Sequence, residues 1–308
     1  MISGNTLAGL IINEQADSNI IINNKIGTDV TGMQSLGNGS GGIYIDQGAM
    51  YNTIGNPTSP NIIAFNSDGG ILLRNDNSKF NKISGNSIFE NDGLGIDIFP
   101  FGIVNINDAS DYDNGPADML NSPVISNALY NSGNTFIQGS VDCPNPSNAV
   151  IEVFVASPDA SGCGQGKRFV GIAIPDINGN WTLSTNVLLQ TDLITATTID
   201  NTGNTSEFSQ NSSVIAGIND NFYSQINAYP NPCSDYLTIT VPEDKQIFSF
   251  SVYDIQGKTV KKTVPLSNEN TIKWNLKDDN LQRVPSGQYI ISLSFGDGYS
   301  FSKLITVL

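Results

Sequence analysis

The sequence predicts an all-β chain in three parts: a β-solenoid over residues 1–105, then two small antiparallel sandwiches over 121–216 and 227–308. Three observations carry this. Short apolar triplets recur at intervals of 33, 28 and 25 residues in the first third of the chain. Apolar–polar alternation with turn signals replaces them from residue 121 onward. No stretch shows the 3–4-residue spacing of an amphipathic helix.

The triplets are Gly9-Leu10-Ile11-Ile12, Gly42-Ile43-Tyr44-Ile45, Gly70-Ile71-Leu72-Leu73 and Gly95-Ile96-Asp97-Ile98. A second pattern interleaves with them, Asn-x-Ile with another Asn five residues on: Asn19…Asn24 and Asn81…Asn86, stretched by an insertion in Asn52…Asn61. A period of this length, with no helical spacing, reads as coils that bury alternate residues by stacking on one another. Leu10, Ile43, Ile71 and Ile96 are expected in one inward column, and Ile12, Ile45, Leu73 and Ile98 in another. Each buried side chain is worth roughly 1.5–3 kcal/mol. Asn tolerates left-handed turns, and stacked Asn side chains bond up a ladder.

These repeats, with the insertion Gly27-Thr28-Asp29-Val30-Thr31-Gly32, resemble right-handed parallel β-helix repeat proteins. That resemblance implies a fold that hosts polysaccharide lyases and hydrolases. On the outward face of the triplets lie Tyr44 and Asp97 in one column and Asp46 and Arg74 in the next, a candidate glycan-contacting face. With coils about 4.8 Å apart, an Asp46–Arg74 ion pair is expected, of little energetic weight. A lyase would need clustered carboxylates and a free Arg or Lys base, and only Lys25, Arg74, Lys79 and Lys82 are basic here. No catalytic residue is assigned. Ile2-Ser3-Gly4-Asn5 reads as the end of a coil, so the expectation is a chain that continues a longer protein upstream.

Residues 106–120 form an Asp-rich junction. Asp108, Asp111 and Asp113 precede Gly115-Pro116, and this oxygen spacing suits Ca²⁺, without the closing Glu of an EF-hand. Two readings stand together: a Ca²⁺ staple, the one cofactor the sequence suggests, or a solvated acidic loop.

Six alternating strands follow in about ninety residues, from Pro123-Val124-Ile125 to Leu193–Asp200, which argues an Ig-like sandwich. Thr195–Asp200 with Asn201–Ser209, and Asn121-Ser122-Pro123-Val124, resemble the Ig-like module that follows β-helix repeats in bacterial surface proteins. That likeness implies a spacer or binding domain. Cys143 and Cys163 flank one strand, and outside the cytosol they are expected to bridge, closing a loop worth roughly 3 kcal/mol. Two free loop thiols are the other reading. Residues 217–226 read as a polar linker.

The tail, 227–308, alternates again in Tyr236–Val241, Phe248–Tyr253, Thr271–Leu276, Tyr289–Leu293 and Tyr299–Leu308, with turns at Gln256-Gly257-Lys258 and Gly296-Asp297-Gly298. Tyr229-Pro230-Asn231-Pro232, Asp254 with Gly257-Lys258, Pro285-Ser286-Gly287-Gln288-Tyr289 and Ser302-Lys303-Leu304 resemble, in family order, the C-terminal sorting domain of type IX (Por) secretion cargo. The resemblance implies the type IX machinery as partner, a secreted or surface-attached location, and a tail that is usually removed.

Charge agrees with that division. The tail balances eight basic against eight acidic residues, so the whole net charge of −15 falls on residues 1–226. So acidic a front part repels nucleic acid and anionic lipid. The absence of His excludes a Ser-His-Asp hydrolase and a Cys/His zinc site, and no apolar run is long enough for a transmembrane helix. The functional expectation is an adhesin-like or glycan-binding protein that meets extracellular polysaccharide or a host surface. Its alternative is a polysaccharide lyase or glycoside hydrolase. A stalk for an upstream activity is a third reading.

Overall fold

The structure, a computed structural model, describes residues 1–131, 133–216, 226–242, 247–263, 270–295 and 300–308. It divides into two compact units, Met1–Gly217 and Ile218–Leu308. Of the expected linker only Ile226 is described, and the Gly296–Gly298 turn lies outside the described residues. No described helix is long and apolar enough to cross a membrane.

The first unit opens with a parallel β-helix. Strands β1 (Leu10–Ile12), β2 (Ile20–Ile21), β3 (Lys25–Ile26), β4 (Ile43–Ile45), β5 (Thr53–Ile54), β6 (Ile62–Ala64), β7 (Ile71–Leu73), β8 (Lys82–Ile83), β9 (Ser87–Phe89) and β10 (Ile96–Ile98) wind into three parallel sheets. Their orders are β1-β4-β7-β10, β2-β5-β8 and β3-β6-β9. The register stacks Leu10 on Ile43, Ile71 and Ile96, and Ile12 on Ile45, Leu73 and Ile98, as the period required. The core between the sheets is almost wholly isoleucine. β-Branched side chains suit it, because they fill a pleated surface with little rotamer freedom to lose.

Three asparagine ladders brace the corners. Asn5, Asn38, Asn66 and Asn91 pass an Nδ2–H to the next Oδ1 at 2.8 Å each. Asn19, Asn52 and Asn81 do so at 2.9 Å, and Asn24, Asn61 and Asn86 at 3.2 and 2.9 Å.

Strands β11 (Val124–Asn131), β12 (Asn134–Ser140), β13 (Val150–Ser157), β14 (Gln165–Ala173), β15 (Asn180–Thr185), β16 (Leu193–Ile199), β17 (Ser212–Ser213) and β18 (Ile215–Ala216) form two four-stranded sheets, β15-β12-β11-β18 and β14-β13-β16-β17. Trp181, Ile137, Ile151 and Val153 fill the space between them. Phe154 and Phe208, however, belong to the isoleucine core of the coils, so coil and sandwich form one compact unit rather than two beads on a string.

The second unit holds β19 (Asn227–Tyr229), β20 (Leu237–Thr240), β21 (Ile247–Asp254), β22 (Thr259–Thr263), β23 (Thr271–Trp274), β24 (Gly287–Phe295) and β25 (Ser300–Val307). They make sheets β19-β20-β23 and β22-β21-β24-β25 over a core that, among the described residues, is drawn from 226–307 and includes Trp274 and Phe250.

Candidate functional site

The outward column of the first sheet is Ile11, Tyr44, Leu72 and Asp97. Asp46 and Arg74 follow the ends of β4 and β7, one coil apart. Arg74 donates to Asp46 Oδ2 through Nε at 3.0 Å and also through Nη2, while Asn75 and the Gln47 N–H donate to Oδ1. Asp46 is only 5 % exposed. Burial pushes its carboxyl up, but Arg74, Gln47 and Asn75 together outweigh that and hold it below the ordinary carboxylate range. The Tyr44 hydroxyl donates to Asp68 Oδ2 at 2.9 Å. Around these side chains lies an open groove of about 300 Å³, lined by Leu7, Ile11, Asn13, Tyr44, Gln47 and Arg74 among others.

Asp97 departs from the expectation. It sits in the outward column but is fully buried. The chain after β10 folds back over it: Gly102 N–H donates to both carboxylate oxygens, and the Phe101 ring lies edge-on to Tyr44 at 6.0 Å and to Phe99 at 5.7 Å. Burial raises the Asp97 carboxyl to about 6, with Asp68 adding to the rise and the Gly102 bond opposing it. Asp97 therefore leaves the exposed glycan face. Asp68, which holds Tyr44, was missed in the sequence. Its signal was its place before Gly69-Gly70, matching Ser40 before Gly41-Gly42 one coil earlier. With Asp46 tied to Arg74 and Asp97 covered, the groove has no pair of free carboxylates for acid–base work.

At the junction, one oxygen of each of Asp108, Asp111 and Asp113 lies within 4.8 Å of the others. Asp111 Oδ1 accepts from Asn121 N–H at 2.8 Å, and Asp108 Oδ2 from Tyr112 N–H at 3.1 Å. Asp108 Oδ1 is shielded from solvent and has no partner among the described residues. Burial lifts the Asp111 carboxyl to about 6; the Asn121 bond opposes this, and the charges of Asp113, Asp108 and Asp200 reinforce it. Converging carboxylates with an unsatisfied oxygen fit a hard, oxygen-seeking cation.

The expected Cys143–Cys163 bridge is absent; both are free, buried thiols. Cys143 belongs to the sandwich core, whereas Cys163 lines a small cleft with Leu94, Ile96 and Phe208 where sandwich meets coil. Burial and neighbouring acidic residues push the Cys143 thiol up to about 11, so it behaves as a core residue rather than a nucleophile.

In the tail, the singled-out residues divide into exposed groups and turn-makers. Tyr229, Pro230, Asn231, Pro232, Lys258, Pro285, Gly287 and Lys303 are exposed. Asn231 Oδ1 accepts from Thr306 N–H at 2.8 Å, fastening the first segment to the last strand. Asp254 Oδ1 accepts from the N–H groups of Gln256 and Lys258 at 2.9 Å, with Gly257 at positive φ closing the turn. Tyr289 donates to Pro285 O at 2.9 Å.

Residues 227–307 match the family described as the secretion system C-terminal sorting domain. Among solved structures the chain is similar to dimeric latent PorU from Porphyromonas gingivalis, at 14 % identity and TM-score 0.24 over 61 % of this chain and 20 % of that one. It is also similar to PorZ, a surface component of the type IX secretion system of the same organism, at 14 % identity and TM-score 0.25 over 60 % and 23 %. A third is Bacteroides ovatus SGBP-B in complex with a mixed-linkage heptasaccharide, at 12 % identity and TM-score 0.19 over 61 % and 48 %. The chain spans only 20–23 % of the length of the first two. No curated protein matches it. Its last eighty residues nonetheless make it cargo of type IX secretion, a β-solenoid protein with a C-terminal sorting domain that is delivered out of the cell or onto its surface.

Proposed function

We propose that this protein is a non-enzymatic, adhesin-like surface protein that holds a neutral polysaccharide in the groove on the first parallel sheet. The groove supports this reading by its composition: an aromatic ring held by Asp68, the apolar side chains of Leu7 and Ile11, and the amide groups of Asn13 and Gln47 around a self-neutralised Asp46–Arg74 pair. Sugars are recognised by such mixtures of aromatic face and polar edge. A net charge of −15 disfavours acidic polysaccharides. Affinity electrophoresis against neutral and acidic polysaccharides tests it. The expected result is retardation in a neutral gel that Tyr44→Ala weakens at least tenfold. Retardation unaffected by Tyr44→Ala would overturn the site, and release of sugar products would favour the lyase or hydrolase reading.

The acidic junction supports a second role, a Ca²⁺ staple at Asp108, Asp111 and Asp113, carried by the unsatisfied Asp108 oxygen. Ca²⁺ is expected to raise the melting temperature of the chain, and Asp111→Asn with Asp113→Asn to abolish that rise. Equal melting with and without Ca²⁺ would remove the staple.

A further inference from the structure

The last coil of the β-helix is an open sheet edge, the kind of surface that recruits further strands. Here it meets side chains of the sandwich. Gln165 Oε1 accepts from Asn91 Nδ2 at 2.9 Å and from Asn91 N–H at 3.1 Å, so it occupies the place of the next asparagine in the ladder. Glu152 accepts from Gly85 N–H at 2.8 Å and from the Ser84 hydroxyl. Thr205 Oγ1 accepts from Ile83 N–H, and Glu207 from Ile98 N–H, both at 2.9 Å. The apolar contact follows the same substitution. In each earlier coil a Cβ on the triplet glycine would meet the carbonyl of the next coil's glycine, as Gly42 meets Gly70 O at 2.6 Å and Gly70 meets Gly95 O at 2.6 Å. On Gly95 it would meet the Phe208 ring, at 2.8 Å.

The ladders also have a direction. Within each ladder an asparagine donates Nδ2–H to the next coil; at the last coil Asn91 finds Gln165 in place of another asparagine, while Asn81 and Asn86 donate back to Ala49 O and Ile54 O. An uncovered last coil would offer the N–H groups of Ile83, Gly85, Asn91 and Ile98 to a strand of another molecule. We propose that the sandwich of residues 121–216 stands in for a next coil, and that it thereby keeps the last coil of one copy from pairing edge to edge with another copy.

The test is sedimentation of the full chain over a concentration series. Glu152→Ala combined with Gln165→Ala removes acceptors from the cap and leaves Phe154 and Phe208 in place. The wild type is expected to stay monomeric, while the average mass of the double variant at least doubles. A monomeric double variant overturns the proposal. Should the double variant not fold, Gln165→Ala alone, which keeps both glutamates, is read in the same way. In the wild type, amide exchange at Ile83, Gly85, Asn91 and Ile98 is expected to be as slow as at Gly55 and Ile71 inside the coils. Rates a hundredfold faster would show an uncapped edge and overturn it.

Discussion

Asn66 is fully buried. Its Nδ2 donates to Asn91 Oδ1 and to Ala64 O, and its Oδ1 accepts from the side chain and the N–H of Asn38. Removing a buried partner leaves the others unsatisfied, at about 1–3 kcal/mol per orphaned group. Asn66→Ala is therefore expected to cost about 3 kcal/mol, and Asn24→Ala, in the first coil and partly open to water, about 1 kcal/mol; chemical denaturation of the two variants measures the difference. Glu207 is the second telling residue. Its burial raises the carboxyl from 4.5 to about 7, against the pull of the N–H groups of Asn105 and Ile98. Between those values the native state keeps a proton that the unfolded chain has lost, so stability is full below about 4.5 and falls as pH rises through about 7. Asp97 and Asp111 act in the same sense, with the loss centred near 6. Melting temperature is expected to decline from pH 5 to pH 8, and less steeply in Glu207→Gln. An unchanged slope in that variant would contradict the role given to Glu207.

Among the elements, the triplet strands owe their register to the glycine before each one. A Cβ at Gly70 would lie 2.6 Å from Gly95 O in the next coil and 2.8 Å from Ile88 Cγ2 in the core of its own coil. Neither atom can yield without spreading the stack, and overpacking of this kind costs about 1–3 kcal/mol. Gly70→Ala is expected to lower stability by about 3 kcal/mol, whereas Gly102→Ala, with open space around its Cβ, pays only the smaller strain of its positive φ. The Gly102 turn matters for another reason: its N–H holds the Asp97 carboxylate, and it follows the Phe99–Phe101 segment that packs beside Tyr44.

At the scale of the molecule, the tail has a core of its own, drawn from residues 226–307, and the coils and sandwich form the other unit. Deleting residues 227–308 is expected to leave the melting transition of Met1–Gly217 within about 2 °C of its value in the full chain, and to abolish export. Calorimetry reads the first and fractionation of a type IX-competent cell the second. Normal export of the deleted form would contradict the tail's role as the sorting signal.

The solenoid was legible in the sequence because stacking imposes a period: each triplet must place Ile or Leu in the same column as its neighbours, and Leu10–Ile43–Ile71–Ile96 shows it. The sorting domain was legible because its turns demand particular residues, such as Asp254 and Gly257. Other features depended on segments far apart in the chain meeting in space. Asp97 belongs to the outward column by alternation, yet the returning Phe99–Gly102 turn buries it. Cys143 and Cys163 flank the same strand, but Cys143 is buried in the sandwich core and Cys163 outside it. Gln165, Glu152 and Phe208 read as ordinary sandwich residues, and only their meeting with Asn91, Gly85 and Gly95 gives them the work of ending the coils. Local periodicity determined the elements of this protein. Which polar groups lost their water, and therefore needed a partner, was decided by the tertiary structure alone.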